Sequence, residues 1–553
     1  MRSVPADTRR WWVCTAVVVL VTAATLAVTL GRYVEEYRLH GDDFALVLNS
    51  SAAAVTELGV APWFTSGYAS YFDNYPDWTQ VPTAFVRPLV NLQFLIAGLA
   101  EPTWGETAYL AANYLWVLLA AVAMLPILRR YTTVGAPAAA AVAVAVALSP
   151  VMHPALLSAN MATNVLALML CLFALAALDP RSTRPVAPRL ARCAMLLTAA
   201  TFAHETALVA ALACAALLVA YTPTRPRVRE LMWFALPFGA FVLSRLVLVE
   251  PRAVYATNLT LAGVILRLKH LAPGPMFPYY SLRFLEVRSM LTTAEVVVWG
   301  VLLLANALLV VALIRGLLDD RSTRRRRVGI LIAWLVLVGL GVLMEGSPRF
   351  MGLSFVVALI GVLSLNDSRS WRAAIVGAVM VASVSMFWLQ FVPARSADLA
   401  SVRHSGAYAD HLQERIATER PDTVLLVNDT VGMYGSRAML ELAAGSQEEV
   451  DVIVVNNLEG PSRGAGRFEV KAESKRIAIT TGLREGQRAV FSGNYADFAT
   501  SNAGLNYAGD LVADSVGGTL EVAGPLRPGR TLVLGIDPRD GSFLPGRIYR
   551  SAQ

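Results

Sequence analysis

The chain has 553 residues, 56% of them hydrophobic and only 16% charged, with a mean hydropathy of +0.53. A soluble domain is roughly a quarter charged and about half apolar, so a soluble cytosolic enzyme, a disordered chain and a disulfide scaffold are excluded, and a polytopic membrane protein remains. The net charge of +7 is uneven: residues 393–553 hold 17 basic and 20 acidic residues, net −3, which leaves 30 and 20, net +10, in the first 392. Nucleic acid is not an expected partner, because the basic residues form short clusters beside apolar runs, where membrane topology accounts for them.

In chain order, Arg2, Arg9 and Arg10 precede a first apolar run, Trp11 to Leu30. It is too long for a signal-peptide core and no small-residue cleavage site follows, so it reads as an uncleaved span with a cytoplasmic N-terminus. Residues 31–106 are polar, aromatic and Pro-containing, with one semi-apolar piece, PLVNLQFLIAGLA, whose thirteen residues are too few to cross and predict a helix lying along the outer interface. Thr107 to Leu128 is a second span, ending in Arg129-Arg130, and Ala136 to Pro150 and Ala162 to Leu178 are the next two. Cys193 to Tyr221 has basic clusters on both sides, so both ends belong in the cytoplasm and the segment crosses an even number of times. Twenty-nine residues cannot supply two full spans of about 20. A pair of short helices is expected, turning at Ala203-His204-Glu205-Thr206 and bordering a cavity.

Further spans are expected at Leu231–Val249, Ala294–Ile314, Val328–Met344, Met351–Leu365 and Ala373–Val392, with Arg324-Arg325-Arg326-Arg327 and Arg369, Arg372 in the loops between them. With the hairpin counted as two, about eleven crossings place residues 393–553 outside the membrane. That segment alternates β-rich runs with turns (TVLLVND, VDVIVVNN, RIAITTG, TLVLGIDP) and holds one helical stretch, SRAMLELAA. It predicts a small extracytoplasmic α/β or mostly β soluble domain. The four cysteines (Cys14, Cys171, Cys193, Cys214) lie in apolar stretches without ligand spacing and read as small buried side chains.

Several charges stand where charge is costly. Asp42 and Asp43 are adjacent carboxylates just beyond the first span, flanked by Tyr37, Leu39, Phe44 and Leu46. Desolvation and the like charge next door raise a carboxyl's pKa, which is how a general base is tuned toward neutrality, whereas a solvated loop pair is the plainer alternative. The external loop 250–293 carries Arg252, Arg267, Lys269, His270, Arg283 and Arg288, and Lys269 is the only lysine before residue 393. Basic residues on that side call for a phosphate or an anionic headgroup, or else snorkel to the outer leaflet. Arg87 opens the interfacial helix, His204-Glu205 sits at the hairpin turn and Arg349 follows a short outer turn, EGSPRF. A structural ion pair of Arg87 or Arg349 with Glu205 is the competing reading. His153 reads as a hydrogen-bonded helix-end residue. No zinc spacing, nucleotide-binding glycine loop or Ser-His-Asp pattern occurs, so a nucleotide or nucleotide-sugar is not the expected direct substrate.

In this order the motifs resemble the membrane-integral C-superfamily glycosyltransferases, which take sugars from polyprenyl-phosphate donors. The resemblance rests on Gly41-Asp42-Asp43 in the first external loop, on RPLVNLQFLIAGLAEPTWGE leading into AYLAANYLWVLLA, on the paired helices around TFAHETALV, and on SPRFMGLSF opening a late span. Many relatives carry Lys or Arg at the hairpin turn, where this chain has His204-Glu205. The resemblance implies a multi-pass protein of the plasma (inner) membrane with an all-α membrane domain over 1–392, external loops 31–106 and 250–293, and an extracytoplasmic domain over 393–553. It also implies inverting transfer of a sugar to a cell-envelope glycan, lipid or protein acceptor. Asp42 or Asp43 would be the general base, and Arg87, His204, Glu205, Lys269, His270, Arg283 and Arg349 would bind the donor phosphate or substrate. The resemblance fixes no cofactor, and hard oxygen ligands leave room for a magnesium or manganese ion between carboxylate and phosphate. The rival readings are a lipid or glycan transporter or flippase, disfavoured because only one broken hairpin occurs and no second copy, and a non-catalytic membrane scaffold binding wall polymer.

Overall fold

The computed structural model describes residues 6–39, 43, 87–180, 186–222, 226–248, 293–319, 323–343, 351–427, 451–456, 469–473, 476–480, 490–492, 512–516, 519–523, 529–536, 542–544 and 546–551. The expected helix SRAMLELAA and the sites at Asp42, Lys269, His270, Arg283 and Arg349 lie outside them.

Apolar runs become helices: α1 (Ala6–Glu35), α2 (Pro88–Trp104), α3 (Thr107–Tyr131), α4 (Ala136–Ala147), the short α5 (His153–Leu157), α6 (Ala162–Leu178), α7 (Val186–Thr201), α8 (Ala207–Tyr221), the single turn α9 (Val228–Leu231), α10 (Leu236–Leu248), α11 (Thr293–Leu318), α12 (Arg324–Leu343), α13 (Gly352–Leu365), α14 (Arg369–Met386) and α15 (Val392–Glu419). Among the described residues, five stretches are long and apolar enough to cross a bilayer: Thr8–Glu35, Thr107–Tyr131, Ala159–Leu178, Thr293–Leu318 and Arg369–Phe391. The protein is therefore a multi-pass membrane protein. Helix α13 is apolar on every side and all fourteen of its residues are buried, as befits a helix enclosed by others.

Three features differ from the sequence reading. Helix α2 runs for 17 residues rather than thirteen and turns Leu92, Ile96 and Leu99 outward while burying Val90, Gln93 and Phe94. This is an outward-facing apolar stripe over a partly polar buried face, the pattern of a helix lying against lipid. Helix α7 starts at Val186, taking Arg189 and Arg192 into its first turns, so the hairpin has 16- and 15-residue arms, and its bend falls at residues 202–206. The last apolar helix does not stop near Val392. A π-helical segment, Phe387–Phe391, joins α14 to α15, and the chain stays helical to Glu419. Pro393 has no N–H for the carbonyl four residues back, and the wider turn just before it lets the helix continue. His153 stacks on Phe391 of that segment, with centroids 4.3 Å apart, and its Nε2 lies 3.0 Å from the Leu148 carbonyl.

Arginines collect where helices end. Arg327 donates to the Leu317 carbonyl at 2.7 Å and Arg326 to the Ser364 carbonyl at 3.0 Å, while Arg130 reaches Ala176 O and Arg189 reaches Asp179 O. Each satisfies carbonyls that a helix C-terminus leaves open and meets the negative end of its dipole. The arginine clusters beside the apolar helices thus cap them.

After α15 the chain forms β1 (Thr423–Val427), β2 (Asp451–Asn456), β3 (Glu469–Glu473), β4 (Arg476–Thr480), β5 (Val490–Ser492), β6 (Val512–Val516), β7 (Thr519–Ala523), β8 (Gly529–Gly535) and β9 (Arg547–Ser551). One sheet has the order β5-β2-β1-β8-β9, with β1 parallel to β2 and β8 (Thr423 opposite Asp451 and Thr531), and the other, β3-β4-β7-β6, is antiparallel. Val424, Leu425, Leu426 and Leu532–Leu534 are buried, the continuous apolar pattern of central parallel strands. Phe543 ties this sheet to α15 by packing on His404, Tyr408 and His411.

Candidate active site

The exit of α1 is where the site is built. Tyr33 and Tyr37 lie one helical turn apart at its end, both buried. Tyr33 donates its hydroxyl to the Leu157 carbonyl at 2.7 Å, and Tyr114 of α3 donates to Leu156 O at 2.8 Å. Asn113, one residue before it, gives its amide to Ala155 O and Ser158 O at 3.1 and 3.0 Å. The connection from α5 to α6 therefore has its carbonyls satisfied by side chains, as irregular backbone inside a membrane protein must.

That connection cradles Asp43. The Asp43 carboxylate is fully buried and accepts three hydrogen bonds: from the Tyr37 hydroxyl at 2.5 Å, the Ser158 hydroxyl at 3.1 Å and the Asn160 backbone N–H at 2.8 Å. The Tyr37 oxygen in turn accepts the Ala159 N–H at 3.2 Å. Burial, and then the neighbouring Asp43 charge, push the Tyr37 hydroxyl's pKa well above its ordinary value, so it stays a donor. The side-chain oxygen of Asn160 is buried and has no hydrogen-bond partner among the described residues.

A second centre lies at the start of α2. Arg87, 8% exposed, forms a bidentate pair with Glu205, its Nη2 standing 2.9 and 3.0 Å from the two carboxylate oxygens. His204 is buried, and its Nδ1 lies 2.9 Å from the Thr206 hydroxyl. The hairpin turn and the interfacial helix are thus joined, as the ion-pair reading of these residues anticipated. The two centres communicate through α2: Trp116 donates to Gln93 at 2.8 Å, Gln93 to Asn113 at 3.2 Å, and Asn113 holds the platform under Asp43.

Beside Tyr37 opens a groove of about 630 Å³, lined by Glu35, Arg38, Glu101, Trp104 and Glu106 among others. Gly105, at φ +63°, makes the turn from α2 to α3 in a conformation an L side chain rarely adopts. Glu106 accepts the Leu39 N–H, and burial raises its carboxyl's pKa against the pull of that N–H and of Arg38. Among the described residues, no three His, Cys, Asp or Glu side chains gather as metal ligands.

Sequence reasoning singled out Asp43, Arg87, His204 and Glu205, all of which are placed. It missed Tyr37, Ser158 and Asn160 as partners of Asp43. The only signal was a tyrosine pair one turn apart and a polar break, SAN, between apolar runs.

No family model matches the chain, and no curated protein matches it. Among solved structures, it is similar to the crystal structure of ArnT from Cupriavidus metallidurans in the apo state, with 13% identity and a TM-score of 0.44 over 78% of this chain and 85% of that one. It is also similar to the cryo-EM structure of the arabinofuranosyltransferase AftD from Mycobacteria, with 16% identity and a TM-score of 0.41 over 81% of this chain and 33% of that one. Likeness at this level concerns the overall helical arrangement and says nothing of substrate.

Proposed function

We propose that this chain is a membrane-integral glycosyltransferase of the C superfamily. In this reading it moves a sugar from a polyprenyl-phosphate donor to a cell-envelope glycan, lipid or protein acceptor at the outer face of the plasma (inner) membrane. The observation that carries the proposal is Asp43: a buried carboxylate held by three donors at a span exit, beside a groove, is a fixed and oriented group rather than a solvated loop charge.

The reaction asks for a base, a leaving-group site and an acceptor slot. One aspartate of the Asp42-Asp43 pair takes the proton of an acceptor hydroxyl while that oxygen attacks the anomeric carbon from the face opposite the phosphate. The carbon–oxygen bond to phosphate breaks, polyprenyl phosphate leaves with the electron pair, and the configuration inverts. Both Asp43 oxygens already accept hydrogen bonds, so we assign Asp43 to holding the loop and Asp42 to removing the proton. The departing phosphate needs positioned cations. Lys269, His270, Arg283 and Arg349 supply them in this reading, together with Arg87, His204 and Glu205 as further contacts to the donor phosphate or substrate. A magnesium or manganese ion is not needed for this sequence of events.

Eleven crossings, a cytoplasmic N-terminus and an extracytoplasmic domain over 393–553 belong to the same proposal. The decisive experiment offers purified protein in lipid nanodiscs a panel of radiolabelled polyprenyl-phosphate sugars together with an envelope extract as acceptor. Transfer of label by the wild type, its loss in Asp42→Asn and a smaller reduction in Asp43→Asn are expected. Full activity in both Asp→Ala variants, or counterflow of the lipid-linked sugar without a new glycosidic bond, would overturn it.

A further inference from the structure

At the other end of α1 and α3 a second groove, of about 560 Å³, opens between the two helices. Its α1 wall is Thr8, Trp11, Trp12 and Thr15, spaced on one helical face, and its α3 wall is Leu125, Pro126, Arg129 and Arg130. Asp179, just past α6, closes it. Because Thr8–Glu35 is 28 residues long, about 42 Å at the rise of a helix, this groove and the Asp43 site sit at opposite bilayer surfaces, each at headgroup depth.

The lining is rich in donors and poor in acceptors. Among the described residues the lining holds two arginines, two tryptophans and Thr8 against one carboxylate, and that carboxylate is already paired, Asp179 standing 3.4 Å from Arg130, while the Thr15 hydroxyl donates to the Trp11 carbonyl at 2.9 Å. Arg129 lies over the Trp11 ring at 5.3 Å, so its charge is held in place at the groove. Arg9 and Arg10 are exposed next door. Trp12 is 70% exposed, a large apolar face beside the cations, while Leu125 and Pro126 give an apolar floor. A cationic rim with donors above an apolar floor, at the end of two spans, matches the amphipathic build of a lipid headgroup: phosphate oxygens to the arginines, glycerol and first methylenes to Trp12 and the floor.

We propose that this groove is a specific site for the phosphodiester of one anionic membrane lipid. It is separate from the donor site and independent of the glycosyltransferase reading. A net-negative headgroup is favoured over a zwitterionic one, because Arg9, Arg10, Arg129 and Arg130 repel a choline cation, the Trp11 face is taken by Arg129 and Asp179 is engaged by Arg130.

Native mass spectrometry of the full chain, delipidated and titrated with phosphatidylglycerol or phosphatidylcholine, tests it. One phosphatidylglycerol is expected to bind with high affinity and phosphatidylcholine weakly. Arg129→Gln removes a charge-assisted contact and Trp12→Ala an apolar one, both at exposed side chains, and each is expected to weaken that first binding event about tenfold, with an unchanged melting temperature. Arg315→Gln, which removes a different arginine over a tryptophan, is expected to bind as the wild type does. Equal retention of both lipids, or unchanged phosphatidylglycerol binding in Arg129→Gln and Trp12→Ala, overturns the proposal. So does displacement of the lipid by millimolar inorganic phosphate, which would mark a site for the free ion.

Discussion

Arg38 and Asp410 are 372 positions apart in the chain and meet as a bidentate pair, Nη2 to Oδ1 at 2.7 Å and Nη1 to Oδ2 at 3.2 Å. Two turns earlier on α15, Arg403 pairs with Glu36. Between the two sits Gly406, where a Cβ would come within 2.9 Å of the Arg38 side chain. Three positions on one face of α15 therefore grip the last residues of α1, and Arg38 also reaches Glu106, which holds the Leu39 N–H. The helix leading to the C-terminal strands thus fixes residues 36–39, just before Asp43 in the chain. Both partners of the Arg38–Asp410 pair are substantially exposed, so Asp410→Ala is expected to cost only about 0.2–1 kcal/mol of stability. Its effect should appear in turnover instead: kcat falls severalfold with little change in KM. The exchange Arg38→Asp with Asp410→Arg should recover part of that loss, as steady-state kinetics on the single and double variants would show.

Tyr37→Phe tests the cradle itself. It removes a donor from a buried carboxylate and leaves the Ala159 N–H without its acceptor, a combination that costs about 1–3 kcal/mol. Ser158→Ala removes only one neutral donor from Asp43 and is expected to cost about 0.5–1.5 kcal/mol. Thermal unfolding of the detergent-solubilised variants should rank them in that order. An equal or reversed ranking would mean that the Tyr37 contact is not what holds Asp43.

Arg87 and Glu205 form the most enclosed ion pair among the described residues, with side chains 9% and 21% exposed. Breaking such a pair from one side leaves an uncompensated charge and costs about 3–5 kcal/mol, whereas replacing both partners by apolar groups of similar volume is often neutral. Arg87→Met alone should therefore lower expression and melting temperature sharply. Arg87→Met combined with Glu205→Leu should restore folding while leaving transfer activity impaired if the pair also sets the donor site. A double variant as unstable as the single one would argue that the two residues have separate partners.

How much of this was readable in advance follows from what each feature depends on. The long apolar helices were legible because apolar runs declare themselves locally, and the bend at His204-Glu205 because a 29-residue apolar stretch between two basic clusters reads as two short helices, whereas the expected spans at Ala136–Pro150 and Met351–Leu365 form helices of 12 and 14 residues. Helix α15 was not, since VPARSADLASVRHSGAYADHLQERIATE opens with a proline and lacks an apolar stripe. Its helical state depends on the π turn before Pro393 and on contacts with α1 and Phe543. The strands divide in the same way: TVLLV of β1 stands out, whereas EVKAE of β3, VADSV of β6 and RIYRS of β9 each carry charge within five residues and gain definition from their neighbours. In the site, Asp43 was visible as a misplaced charge. Its partners Ser158 and Asn160 lie 115 and 117 positions away, a distance over which no local pattern carries information.

The packing of α8 against α12 offers a test that concerns the scaffold alone. A Cβ at Gly329 would stand 2.6 Å from the Ala220 Cβ and 2.9 Å from the Ala216 carbonyl oxygen. Ala216 and Ala220 are one turn apart on α8, so two small residues and a glycine bring these helices into backbone contact, the arrangement by which membrane helices associate when no hydrophobic driving force separates them from lipid. Because the obstructing atoms are a backbone carbonyl and a Cβ, neither can swing aside. Gly329→Ala should therefore push the helices apart and cost about 1–3 kcal/mol. Gly339, two to three turns further along the same helix, is exposed, and a Cβ there would meet nothing within 4 Å. Gly339→Ala should be neutral or stabilise by up to about 1 kcal/mol through helix propensity. Both substitutions add the same methyl group to the same helix, so opposite shifts in melting temperature would locate the α8–α12 contact at Gly329. Equal shifts would show that the contact tolerates widening and that the close approach is not required for the fold.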